Sequence, residues 1–133
     1  MSTFQSKITI ASPISEVYNF LADLNNHRQL MPDNIQDWKS TYDTAGFGIP
    51  NMGKIALKVD SRSENSEIII IPAEKPPFDI KLKWGLSGGE NSTEVVLTIS
   101  AELNMMLKMM ASGPLQKLAD HETRTLGAIF SKT

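Results

Sequence analysis

Glu122 is the residue best placed to do chemistry in this chain, because of the side chains around it. It lies in "PLQKLADHETRTLGAIF" (Pro114–Phe130), where apolar residues recur at helical spacing. At about 100° per residue, Leu118, Ala119, Leu126, Ile129 and Phe130 fall within roughly 60° of Leu115, and Glu122 falls in the middle of that stripe. An unpaired carboxylate buried there costs several kcal/mol, so it needs a partner, a water or a proton. Two readings follow. Glu122 is a polar anchor for a ligand's hydroxyl or amine, with a raised pKa that would suit a general acid, or it is a structurally satisfied core carboxyl.

Other candidates share a face with apolar neighbours. Trp84 sits on the apolar side of "FDIKLKWGL" and brings one indole N–H that needs an acceptor. Trp38 and Tyr42 share strand parity opposite Asp37, Lys39 and Thr41, which points both inward. Of seven methionines, Met105, Met106, Met109 and Met110 flank Lys108. Thioethers fill irregular gaps and recur at adaptable binding surfaces. If "NMMLKMM" is a helical turn, one methionine pair faces inward and the other forms a lid. Met31 and Met52 sit in loops that reach the rim of any interior space.

Metal and nucleophile chemistry find little support. His27 and His121 are the only histidines, and no carboxylate stands at ligand spacing from them, so both read as surface residues and no metal or cofactor is expected. No serine has triad partners that the sequence nominates. "GLSGGENS" joins two strands and is no phosphate loop. Cysteine is absent, which removes disulfides and thiol catalysis. The net charge is -2 and the basic residues are scattered, unlike a nucleic-acid-binding footprint. The longest aliphatic run, Ile68–Ile71, is far short of a membrane span. "MSTFQSKITI" alternates from the outset and lacks an apolar leader segment. The expectation is a cytoplasmic protein forming one domain over residues 1–133.

The elements that must hold these residues follow from periodicity. "TFQSKITIA" alternates as a strand with Phe4, Ser6, Ile8 and Ile10 inward. "SPISEVYNFLADL" changes to helical spacing, with Ser12 as N-cap and Pro13 at the first helical position. "NNHRQLMPD" is a second short helix or turn, stopped by Pro32. Six strand segments follow: "IQDWKSTYD", "GFGIP", "KIALKVDSR", "SEIIIIPAE", "PFDIKLKWGLS" and "TEVVLTISAEL". The last helix is predicted from Pro114 to about Phe130. An antiparallel sheet with helices on one face buries its apolar side beneath the long helix.

This order resembles the helix-grip superfamily of START-like (SRPBCC), birch-allergen-like and polyketide-cyclase-like domains. The resemblance is carried by "KITIASPISEVYNFLADLNNHRQLMP", "FDIKLKWGL" and "LNMMLKMMASGPLQKLADHE", and it spans nearly the whole chain. It implies an α+β fold in which a seven-stranded curved antiparallel sheet wraps the C-terminal helix. It also implies a cavity between sheet and helix for an apolar or amphipathic small molecule. The expected ligand-binding residues are Glu122, Trp84, Tyr42, Trp38, Met31, Met105, Met109, Leu118 and Leu126.

Three functions are open at this point. The leading one is non-catalytic binding or carriage of a small hydrophobic molecule such as a lipid, isoprenoid or polyketide. The second is a cyclase or dehydratase with Glu122 as acid or base, which requires a second polar group from Tyr42, Trp84 or His121. The third is a protein-interaction module with a filled core. The expected partner is a small hydrophobic molecule, with no nucleic acid and no stable membrane insertion, and a homodimer stays open as an assembly state.

Overall fold

The computed structural model describes residues 2–50, 53–76 and 78–131. Met52 lies outside the described residues. The chain runs β1 (Ser2–Ile10), α1 (Ile14–Ala22), a 3₁₀ helix (Leu24–Leu30), β2 (Gln36–Ser40), β3 (Thr44–Ile49), β4 (Gly53–Ser63), β5 (Glu67–Pro72), β6 (Ile80–Gly88), β7 (Thr93–Ala101) and α2 (Met105–Phe130). All seven strands form one antiparallel sheet in the order β1-β7-β6-β5-β4-β3-β2. This is the helix-grip fold: the sheet curves around a long C-terminal helix, with two short helices inserted after the first strand.

Strand parity sets the core. In β1, Phe4 and Ile10 are buried while Thr3, Gln5, Lys7 and Thr9 are exposed, as period-two alternation demands. In β6, Ile80, Leu82, Trp84 and Leu86 face inward, and β7 matches them with Val95, Leu97, Ile99 and Ala101. The register sets Leu82 opposite Ile99 and Trp84 opposite Leu97, so large apolar pairs face each other at the sheet's centre.

A bulge in β4 between Val59 and Ser61 shifts the parity and turns Arg62 toward the helices. The Arg62 guanidinium donates from Nε and Nη2 to the carbonyl of Ala22 (3.0 and 2.8 Å), the last residue of α1. It thus satisfies a helix-terminal acceptor that has no partner within the helix. Its Nη1 donates to Asp43 Oδ1 at 2.8 Å.

α2 lies mainly against β1, with further packing on β7 and the 3₁₀ helix. Gly127 lets it approach closely, because a Cβ there would run into the Ile8 side chain. Ser6 and Thr123 share a hydroxyl–hydroxyl hydrogen bond at 2.6 Å across that contact. Phe130 meets Phe20 of α1 edge-on at 5.6 Å.

Two boundaries differ from expectation. α1 begins one residue late, with Pro13 as N-cap and no side-chain cap. Ser12 instead gives its carbonyl to Thr93 Oγ1 at 2.9 Å. α2 begins at Met105 rather than Pro114, because Asn104 caps it by accepting from Leu107 N at 2.8 Å. Pro114 is therefore inside the helix. No described helix is long and apolar enough to cross a membrane.

Candidate functional site

The C-terminal half of α2 brings Glu122 to the interior. Its side chain is 1% exposed, and Oε2 has no hydrogen-bond partner. Burial alone pushes its carboxyl up to about 8. A buried carboxylate without a partner is costly, so the proton stays on. At neutral pH the residue is a neutral acid able to donate one hydrogen bond and accept others.

Glu122 faces a hollow of about 30 Å³, whose walls also include His27, Met31, Trp38, Phe47 and Leu118. That is room for about one water molecule. The expected ligand-sized chamber between sheet and helix is therefore corrected: Trp84, Leu97, Ile99, Leu115 and Leu126, all under 2% exposed, fill that space.

His27 is the polar neighbour that sequence reasoning missed. It is buried rather than superficial, and Nε2–H donates to the Leu21 carbonyl at 2.7 Å. Burial holds its ring down to about 4, against the opposing effect of that hydrogen bond. Its ring also meets the Trp84 indole edge-on at 5.8 Å. The missed signal is the spacing Leu24–His27–Leu30, three residues apart. In a 3₁₀ helix that period stacks side chains on one face, and all three are buried.

The other expected site residues separate into two groups. Met31, Trp38 and Leu118 share the small hollow with Glu122. Trp38 is half-buried, stacked on Phe47 at 5.4 Å, and its Nε1–H donates to Ser40 Oγ at 3.0 Å. Trp84 and Leu126 are wholly buried in the core, and the Trp84 N–H has no acceptor.

Tyr42 and the methionines do not point inward, which corrects those expectations. Tyr42 is 50% exposed with Arg62 over its ring at 4.2 Å. β2 ends at Ser40, so strand parity does not extend to Tyr42. Met105 and Met109 are 82% and 83% exposed, and Met106 and Met110 are exposed as well. They form the first two turns of α2, and neither pair faces the interior.

Ligand-sized spaces lie outside the hollow, at the surface. A groove of about 540 Å³ runs between the second half of α2 and the segment after the 3₁₀ helix. Pro114, Leu115 and Leu118 meet Pro32, Ile35 and Ile49 across an apolar floor, and Lys117, His121 and Arg124 line one side. Leu118 belongs to both spaces, as the wall between the groove and the hollow that holds Glu122. The groove, assembled on a rigid helix between sheet and loop, has the size of small-molecule sites. No group of three or more metal-ligating side chains occurs among the described residues.

This geometry is that of the helix-grip fold. Solved structures with the same fold include an aromatase/cyclase, Zhui, from a Streptomyces species. It is 12% identical with a TM-score of 0.79, covering 98% of this chain and 94% of that one. A START superfamily protein from Mycobacterium smegmatis is 14% identical with a TM-score of 0.71, covering 98% and 97%. The Aha1 dimer from Colwellia psychrerythraea is 17% identical with a TM-score of 0.68, covering 99% and 98%. No protein-family model and no curated protein sequence matches the chain.

Proposed function

We propose that the protein binds a small apolar or amphipathic molecule in the groove between the second half of α2 and the Pro32–Ile35 segment. One observation carries this reading: about 540 Å³ of apolar-floored space shares Leu118 as a lining residue with the hollow that holds an interior acid. Leu118, Met31 and Trp38 serve as the adaptable wall. Rotation of Leu118 would join the two spaces and open the Glu122 carboxyl to a polar group along the ligand's body. Glu122 is then a neutral hydrogen-bonding anchor, and Trp84 and Leu126 support it from the core.

The test is titration with the neutral fluorophore N-phenyl-1-naphthylamine. Saturable one-to-one binding is expected, lost in Leu118→Arg while circular dichroism keeps the native signal. Unchanged affinity in that variant would refute the site.

A protein-interaction role has one observation in its favour, the four exposed methionines at the start of α2. Such a patch suits adaptable protein contacts. Cyclase or dehydratase chemistry, suggested by the aromatase/cyclase of the same fold, has less support. Glu122 holds a proton that a general acid could give, but none of the described groups is within hydrogen-bond reach of Oε2. With Leu118 in place, the hollow beside it admits no substrate of that class.

A further inference from the structure

The walls of the groove are electrically one-sided. Lys117, His121 and Arg124 recur at intervals of four and three residues, which places them along one stripe of α2. All three line the groove, together with the amide of Asn34 on the opposite side. None of the wall residues is acidic. The chain as a whole carries 15 acidic and 13 basic residues, so a wall with two fixed cations and no anion departs from the general surface.

The nearby acids form no ion pair with that wall. Asp33 lies between wall residues Pro32 and Asn34 but is not itself part of the wall. Asp120 accepts from Gln116 Nε2 at 3.2 Å. Glu122 turns to the hollow instead. Among the described residues, the ion pairs join Lys7 to Glu94 and Arg62 to Asp43. Lys117 and Arg124 take part in neither. Arg124 uses only Nε locally, donating to the Asp120 carbonyl at 3.2 Å, which leaves its outer guanidinium nitrogens for a ligand.

We propose that the groove selects an anionic amphiphile, with its carboxylate- or phosphate-type head against Lys117, His121 and Arg124 and its apolar body on Leu118, Ile35 and Ile49. The proposal rests on the groove being a ligand site, and it adds the charge of the ligand. Guanidinium and ammonium donors hold such oxyanions through charge-assisted hydrogen bonds, and His121 adds an imidazole donor between them. The apolar floor supplies the burial that a free inorganic anion could not use.

The experiment is isothermal titration of the full chain with decanoate, decyl phosphate, decan-1-ol and decyltrimethylammonium, all below their aggregation limits. At least one anion is expected to bind about tenfold tighter than the alcohol, and the cation weaker than the alcohol. The two anions separate a carboxylate from a phosphate preference. In the Lys117→Glu/Arg124→Glu variant, both positions being exposed, the ratio of alcohol to anion Kd is expected to fall to about one. Raising the salt concentration should shrink the same ratio in the wild type.

An alcohol that binds as tightly as the anions, or an unchanged ratio in the double variant, would overturn the anionic head and leave the apolar site intact. If no decyl compound binds, the ligand site itself falls, and this inference with it.

Discussion

From Met105 to Gly113, α2 presents four methionines to solvent, and from Leu115 to Leu126 the same helix buries two leucines, an alanine, a threonine and a carboxyl. Residue polarity does not explain the difference, since the more apolar half is the exposed one. The second half lies on β1, β7 and the 3₁₀ helix, so even Glu122 is taken out of water. Burial follows from what stands opposite a side chain. One consequence is a division of the helix: the buried half lines the groove proposed as a ligand site, while the exposed half offers a soft surface.

The contrast should be largest in stability. Leu126→Ala removes a fully buried side chain and is expected to cost about 2–5 kcal/mol. Met109→Ala should stay within about 0.5 kcal/mol. Urea denaturation of the two variants reads both, and similar losses would erase the distinction between the halves.

A smaller effect concerns pH. Burial raises the Glu122 carboxyl from 4.5 to about 8, so the folded state favours its protonated form. The stability tied to that proton is full below about pH 4.5 and is lost as pH rises through about 8. His27 acts in the opposite sense. Its ring is lowered from 6.5 to about 4, so its contribution is full above about pH 6.5 and is lost as pH falls through about 4. Between about pH 6.5 and 8, only Glu122 of the pair is changing. Across that window the wild type is expected to lose about 1–2 kcal/mol more than Glu122→Gln. Parallel denaturation curves for the two proteins over this range would mean that Glu122 is ionised or solvated when folded.

The smallest effect sets two glycines of α2 against each other. Beyond its chain neighbours a Cβ at Gly113 meets open space, whereas one at Gly127 runs into Ile8. Gly113→Ala should change stability by less than about 0.5 kcal/mol, because the gain in helix propensity is opposed by a Cβ crowding the ring of Pro114. Gly127→Ala should be the less stable of the two, because Ile8 must give way. Thermal melts compare them directly, and equal stability of the two variants would deny the close approach of α2 to β1.

Much of the fold was legible because period-two alternation is a local signal. Each expected strand is present, and the inward parity of "FDIKLKWGL" holds from Phe78 to Leu86. The stripe reading of Glu122 held for the same reason, since helical angles need only the sequence. Tyr42 misled because parity carries information only while the strand continues. The methionines misled because apolarity says that a side chain can be buried, not that a surface waits for it. The groove was not legible: its floor comes from Pro32–Ile35, Ile49 and α2, segments far apart in the chain. The size of the hollow was not legible either, since it is the small remainder left after many side chains have packed.

The account is tested most directly by methyl NMR of the wild-type protein titrated with decanoate. The methyl resonances of Ile35, Ile49, Leu115 and Leu118 are expected to shift in a saturable manner, while those of Met105, Met106, Met109 and Met110 stay in place. Shifts confined to the methionines, with the groove methyls unmoved, would contradict it.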